Sequence, residues 1–367
     1  MRLAVIRREC GFGFGGAEAY CANICRWLSR LGHEVTVVAD RSRVECNFSR
    51  AKVFGRGSIL KNLSFFFNVK KVLEKDGFDL TYGLSRVAPV DILRISDPLH
   101  AAWLELGYGG VSKLRCLRPR HKALLWMESR AIEESRAVVA ISNLVKRQLR
   151  QYYNVPSSNI HVVYNGIDLE AFYPMSPGER IALRLDMGIP ESDTILLFAG
   201  SDLRRKGLKH LIDGLKGLRR RDFTLLIAGS YGDRAIDAEI KRAEFSAKVR
   251  WLGYVKDMRR LYSASDLFIL PTLYDTFANT VLESMACGTP ALTTQSAGAC
   301  ELAGEVAGWL VLESASAHDV YNALRHFFGL SDEARGSLGE RALAIAKRYS
   351  WESHVRILQG IFEANLS

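Results

Sequence analysis

Short apolar runs of strand length recur along this chain with helix-length stretches between them, and they do so in two successive series. The first is LAVI, HEVTVVAD, DLTYGL, DILRIS, AVVAIS and IHVVYNG; the second is TILLFAG, FTLLIAGS, VRWLGYV, DLFILP and GTPALTT. Parallel strands need a crossover rather than a hairpin, so strand alternating with helix predicts a parallel sheet covered by helices, and the repeat predicts two sheets. A length of 367 residues accommodates two ordinary domains, each with its own core. Between the series, NGIDLEAFYPMSPGE carries Pro174 and Pro177 and reads as the linker, which places the boundary at 168/169.

No apolar run has the length of a membrane span, and the N-terminus enters the strand-like LAVI directly, with no signal peptide; the chain is read as cytoplasmic. The seven cysteines agree: they are odd in number and contain no CxxC, and Cys21 and Cys25 are spaced to share one helix face. They are read as small buried hydrophobes rather than metal ligands or a redox pair.

The segment YDTFANTVLESMACGTP, Tyr274 to Pro290, lies between the DLFILP and GTPALTT runs and carries Asp275 and Glu283 eight positions apart. Asn279 or Thr280 can cap the helix TVLESMA, which Gly288 and Pro290 stop, so Glu283 is expected in the first turn, favoured by the helix dipole. In open α/β sheets ligands collect at the carboxyl ends of strands, where this loop would lie.

Two further loops suit phosphate. In AGSDLRRKGLKHLI a strand ends at Gly200 and a helix begins after Gly207, with Arg205 and Lys206 between. Arginine can fork across two phosphate oxygens, lysine supplies a point charge, and a helix N-terminus adds amides. In CGFGFGGAEAY, Gly15 and Gly16 precede a helix that contains Glu18. This loop has phosphate-binding composition, although it is not the GxGxxG dinucleotide fingerprint and no lysine follows it as in a Walker loop.

Together these segments resemble the retaining glycosyltransferases of family 4. The signature of that family is Glu, seven residues, Glu, then small residues with Gly and Pro; here Asp275 replaces the first Glu, while Glu283, Ala286, Gly288 and Pro290 match. The resemblance implies a GT-B fold: two Rossmann-like, doubly wound parallel-sheet domains of α/β class facing a cleft. It implies residues 1–168 as the acceptor-binding domain, 169–349 as the nucleotide-sugar domain, and 350–367 as a last helix crossing back to the first. The Gly-Ser-Asp then Arg-Lys-Gly variant, Gly200 to Gly207, is similar to the bacterial lipopolysaccharide core glucosyltransferase branch.

By the same resemblance Glu283 accepts hydrogen bonds from the ribose hydroxyls. Asp275, with the backbone amides of Thr276, Phe277 and Ala278, contacts the transferred sugar and supports its oxocarbenium-like transition state. Arg205 and Lys206 meet the diphosphate, Gly15 and Gly16 approach the donor phosphate, Glu18 lies on the acceptor side, and Tyr254 and Val255 hold the nucleobase through backbone groups. In RISDPLHAAWLE, Asp97 and His100 face the donor sugar, and Glu301 is a weaker acidic candidate. No Asp-x-Asp motif favours a metal, so no cofactor is expected, and the fixed positive charge falls to side chains and helix ends. The implied activity is metal-independent transfer of a hexose, with UDP-glucose as donor, to a lipid-linked saccharide such as the lipopolysaccharide core. Attack is on the front face, the departing phosphate taking the acceptor's proton.

The net charge of +10 is not spread evenly. Residues 1–168 hold 26 Lys and Arg against 15 Asp and Glu, and residues 169–367 hold 24 against 25. From Trp103 to Arg130 the basic residues Lys113, Arg115, Arg118, Arg120 and Lys122 interleave with Leu114, Leu117, Leu124, Leu125 and Trp126, a composition suited to an anionic membrane surface. A solvated loop followed by a core-facing helix has the same composition. The membrane reading makes the enzyme peripheral on the inner face of the cytoplasmic membrane. Competing readings are a GT-B sugar-nucleotide epimerase, a binding module that has lost catalysis, and a basic nucleic-acid-binding protein. No nucleic-acid-binding module is visible in the sequence, so nucleic acid is not expected as a partner.

Overall fold

The computed structural model describes residues 1–11, 16–108, 118–220, 222–230 and 233–366. The chain divides into two compact units, Met1–Gly166 with Trp351–Ser367, and Ile167–Ser350.

The first unit is built on a seven-stranded sheet: β1 Arg2–Ile6, β2 Glu34–Ala39, β3 Asn47–Arg50, β4 Leu80–Gly83, β5 Ile92–Ile95, β6 Ala137–Ala140 and β7 Ile160–Val162. Its order is β3-β2-β1-β4-β5-β6-β7, and every pairing is parallel. The second unit has β8 Thr194–Gly200, β9 Phe223–Gly229, β10 Val249–Gly253, β11 Leu267–Leu270, β12 Ala291–Thr294 and β13 Val311–Leu312, in the parallel order β10-β9-β8-β11-β12-β13. Both sheets reverse winding direction between their first and fourth strands, which makes them doubly wound and puts a crevice at the carboxyl ends of β1 and β4, and of β8 and β11. Strands covered on both faces are apolar throughout, as in β8, where Ile195 to Phe198 are fully buried.

Two strands of these sheets lack that signature. Asn47–Arg50 is a polar edge strand with one neighbour and mostly exposed side chains, and Val311–Leu312 is two residues long.

Four helices of the first unit matter below: α1 Gly16–Arg30, α2 Ser58–Asp76, α3 His100–Tyr108 and α4 Pro119–Glu133. The terminal helix Trp351–Ala364 belongs to this unit as well. Its Trp351, Val355, Leu358 and Phe362 are buried in one core with Leu3, Val5, Ile24, Val37 and Tyr82. A buried imidazole locks it there: His354 Nε2 meets Tyr20 Oη at 2.8 Å and Nδ1 meets the Tyr164 carbonyl at 2.6 Å. Desolvation, reinforced by Arg94, pushes His354 down to about 3. The neutral ring then donates to the carbonyl through Nδ1 and accepts from the tyrosine.

Candidate active site

In the second unit four of the residues singled out from sequence, Arg205, Lys206, Asp275 and Phe277, meet at the carboxyl ends of β8 and β11. After Gly200 the chain makes a turn in which Lys206 N–H donates to Asp202 O at 2.8 Å, and Gly207 adopts φ 81° before the helix Leu208–Lys216. A Cβ at Gly207 would stand 1.8 Å from the Pro271 carbonyl oxygen, so glycine is required both for the left-handed backbone and for the close approach of the two loops. That turn aims Arg205 and Lys206 at one carboxylate. Lys206 Nζ donates to Asp275 Oδ2, Arg205 Nη1 lies 3.3 Å from the same oxygen, and Phe277 N–H donates to Oδ1 at 3.1 Å. Arg205 Nη1 also donates to the Tyr274 carbonyl at 2.8 Å, and its Nε reaches Asp202 at 3.2 Å.

The Asp275 loop is laced to the segment after β12. Asp275 N–H donates to Ser296 O, Gly298 N–H to Asp275 O, and Ala299 N–H to Phe277 O at 2.7 Å. Burial would raise the Asp275 carboxyl, but Lys206, Arg205 and the Phe277 amide outweigh it and hold the group below the usual carboxylate range.

The helix after this loop runs Asn279–Ala286, and its start differs from expectation. Neither Asn279 nor Thr280 is the cap; that position is Ala278, at φ 72° with no side-chain cap bond. Because its neighbour Phe277 is tied to Asp275 and Ala299 on both sides, the loop dictates this left-handed residue and local capping preference does not. Glu283 is consequently the fifth helical residue, in the second turn, and the helix dipole is not what holds it. Its Oε2 accepts from Tyr262 Oη at 2.8 Å. Burial pushes the Glu283 carboxyl up, against the smaller opposing effects of the Tyr262 hydroxyl and of Lys206. Lys206 thus acts electrostatically on both acids. Tyr254, directly after β10, is 87% exposed, and Val255 next to it is half-buried. Glu301 lies in the first turn of the helix Cys300–Val306.

In the first unit, Arg7 follows β1 and is buried. It donates to Glu18 at 2.8 and 3.1 Å, to the Leu84 carbonyl at 2.7 Å, and approaches Asp97 at 3.4 Å. Arg7, Glu18, Ser85, Arg86 and Asp97 line an open cavity of about 240 Å³. Gly16 opens α1, whereas Gly15 lies outside the described residues. His100 opens α3 and is buried, its Nε2 2.9 Å from His121 Nδ1. Desolvation, then Arg86 and His121, lower it to about 4, so the ring is neutral at ordinary pH. Glu128 of α4 supports this corner, accepting from His100 N–H at 2.7 Å, from Arg86 Nε at 2.6 Å and from the Tyr153 hydroxyl. Arg7, Arg86, Glu128 and Tyr262 were not evident from sequence. A charged residue between an apolar strand and a glycine loop was a usable signal for Arg7; the other three are set by contacts across the fold.

Comparison with known proteins gives the chain its family and its fold. Residues 14–171 match the model of Glycosyltransferase Family 4, and residues 193–328 match that of Glycosyl transferases group 1. The chain belongs to the family 4 glycosyltransferases. It is 24% identical to the lipopolysaccharide glucosyltransferase WaaG of Escherichia coli strain K12 over 86% of both chains, and 27% identical to the uncharacterized glycosyltransferase MJ1607 of Methanocaldococcus jannaschii over 78% of both. The crystal structure of WaaG superposes with a TM-score of 0.83, covering 98% of this chain and 99% of that one at 21% identity. Anabaena HepE in complex with UDP-glucose gives 0.74, covering 99% and 98% at 19% identity. This family 4 enzyme therefore has the GT-B fold, and its two doubly wound sheets are the two domains of that fold.

Proposed function

We propose that this glycosyltransferase transfers a hexose with retention of configuration from UDP-glucose to a lipid-linked saccharide, of which the lipopolysaccharide core is the leading candidate. The carrying observation is the Arg205, Lys206 and Asp275 cluster at the carboxyl ends of β8 and β11. As the glycosidic bond breaks, negative charge grows on the diphosphate. Arg205 and Lys206 are placed to receive it, so the reaction runs without a metal. Asp275 is the counter-ion that keeps both cations aimed while the donor is absent. With the donor bound it faces the transferred sugar. Glu283 takes the ribose hydroxyls. Gly15 and Gly16 approach the donor phosphate, and Tyr254 and Val255 border the base. Asp97 and Glu18, on the lining of the first-unit cavity, bind sugar hydroxyls on the donor and acceptor sides. His100, neutral and turned to His121, acts as a donor-side positioning group.

The acceptor's lipid brings the enzyme to an anionic membrane surface, without nucleic acid as a partner. Among the described residues no helix is long and apolar enough to cross a membrane. Phe67 of α2 and Trp126 of α4 are exposed with ring centroids 6.1 Å apart, and Arg118, Arg120 and Lys122 are exposed on the same segment as Trp126. Residues 109–117, which include Lys113, Arg115, Leu114 and Leu117, lie outside the described residues.

The test is a pair of measurements on purified protein. UDP-glucose should raise the melting temperature more than GDP- or ADP-glucose does at equal concentration, since stabilisation by mass action grows as Kd falls. UDP should then be released only when a truncated lipopolysaccharide acceptor is added, in buffer containing EDTA. Release without acceptor points to hydrolysis or epimerisation instead, and loss of transfer in EDTA that Mg²⁺ or Mn²⁺ restores defeats the metal-free reading.

A further inference from the structure

Three cysteines that local spacing marks as apolar filler meet in one place. Cys10 arrives on the short strand Glu9–Cys10, which pairs with Arg41–Ser42, while Cys21 and Cys25 lie one turn apart on α1. All three are at most 1% exposed, and their Sγ atoms lie within 4.8 Å of one another. Cys46, partly exposed, packs against the same core, with its thiol close enough to Cys25 to act on it.

A Zn–S bond of about 2.3 Å places the thiolates of a tetrahedral site about 3.8 Å apart, so a contraction of an ångström or less would bring these sulfurs to ligand spacing. The chemistry of the donor set is selective: thiolates choose soft d¹⁰ cations over magnesium, calcium or manganese. We propose that Cys10, Cys21 and Cys25, with Cys46 as the fourth ligand, form a thiolate site for zinc or another thiophilic cation. Each S–H bond is replaced by an S–metal bond and its proton leaves to solvent. Arg7, close enough to act electrostatically on Cys10, supplies positive charge near the resulting anionic centre.

Position gives the site a consequence. Cys10 precedes the glycine-rich segment and Cys21 and Cys25 follow it, so a bound metal is a clasp across both ends of that segment. The site is independent of the donor reading and does not need it to be right.

The experiment uses the full chain, reduced and stripped with chelator, titrated with Zn²⁺ against a chromophoric competitor. One equivalent should bind, Co²⁺ should give a thiolate charge-transfer band, and the melting temperature should rise. Cys21→Ser and Cys25→Ser should weaken binding by at least roughly 100-fold, since even outer-shell changes at metal sites cost 10- to 100-fold; Cys300→Ser should not. In the unsubstituted protein, at a denaturant concentration that opens the zinc-free chain to alkylation, zinc should protect Cys10, Cys21, Cys25 and Cys46 and leave Cys300 reactive, which decides the matter even where a serine variant folds poorly. Absence of stoichiometric binding by the reduced protein, unchanged affinity in a folded Cys21→Ser variant, or zinc protection that misses the cluster overturns the proposal.

Discussion

Lys206 holds two carboxylates in its field, and their environments push them in opposite directions. Asp275 is lowered because two cations outweigh its burial; Glu283 is raised because burial outweighs a tyrosine hydroxyl and a more distant charge. Linkage gives the two groups opposite signs. Asp275 contributes stability above the ordinary carboxylate range and loses it as pH falls through its depressed value. The contribution of Glu283 is complete below that range and is lost as pH rises through its elevated value. At neutral pH an ionised Glu283 is therefore a cost to folding, tolerated for what it binds. Glu283→Gln is expected to leave the melting temperature unchanged or higher while weakening UDP about 10- to 100-fold, the equivalent of about 1.5–3 kcal/mol for lost charge-assisted hydrogen bonds. Calorimetry of UDP binding against pH checks the assignment further. Affinity should fall on acidification at a pH above the usual glutamate range, and this step should be missing in the variant. Asp275→Asn leaves Lys206 without its carboxylate and Arg205 with Asp202 alone, at an expected loss of about 3 kcal/mol. Because a diphosphate restores the missing negative charge, UDP should raise the melting temperature of this variant by more than that of the parent. An equal or smaller shift would remove Asp275 from the phosphate site.

At the scale of elements, the site depends on how β8 hands over to the helix Leu208–Lys216. Gly207→Ala combines a left-handed backbone with a Cβ 1.8 Å from Pro271 O, and either the turn or the Pro271 loop must move. The expected loss is about 3 kcal/mol or more, with UDP binding lost alongside because the cations no longer meet Asp275. Gly178→Ala is the control: it sits in the helix Pro177–Asp186 with nothing within 4 Å of the added carbon, and should be neutral or mildly stabilising in the same denaturant titration. The central strands were readable in sequence because residues covered on both faces form unbroken apolar runs. Edge strand Asn47–Arg50 was not, since half of its ladder and most of its side chains face water. In the same way Asp275, Glu283, Arg205 and Lys206 were legible as a motif. The cap at Ala278, the Tyr262 partner of Glu283 and the Glu128 support under His100 were not, because each is fixed by a residue 20 or more positions away or by a loop on another strand. The cysteine cluster escaped for that reason too: helical spacing pairs Cys21 with Cys25, and only the fold brings Cys10 and Cys46 to them.

For the whole molecule, two features concern the first unit. One is that its core is completed by residues 351–366 from the far end of the chain, held by a neutral His354. A histidine lowered to about 3 contributes stability above its ordinary range near 6.5 that is lost progressively as pH falls. The protection factors of the terminal-helix amides, which are exchange rates taken relative to the intrinsic rate at each pH, should therefore fall on acidification below 6.5, and His354→Phe, which cannot be charged, should flatten that dependence. The other feature is the charge excess, confined to residues 1–168, beside the exposed Phe67 and Trp126 pair. Basic side chains near an anionic surface contribute about 1 kcal/mol each, so replacing Arg118, Arg120 and Lys122 by glutamine should cost about 3 kcal/mol of membrane binding, roughly a hundredfold. Phe67→Ala with Trp126→Ala removes the apolar part and should lower binding in a way that added salt does not mimic. Neither set includes a residue proposed to contact the donor, and Arg120 acts on His100 only as the smallest of the effects that keep its ring neutral, so transfer to a detergent-dispersed acceptor should hold while transfer to acceptor embedded in anionic vesicles falls. Vesicle sedimentation with neutral and anionic lipid decides between a membrane face and a solvated basic one: equal binding to both lipids, or loss of transfer to the dispersed acceptor as well, would mean that this surface serves the fold and not the membrane.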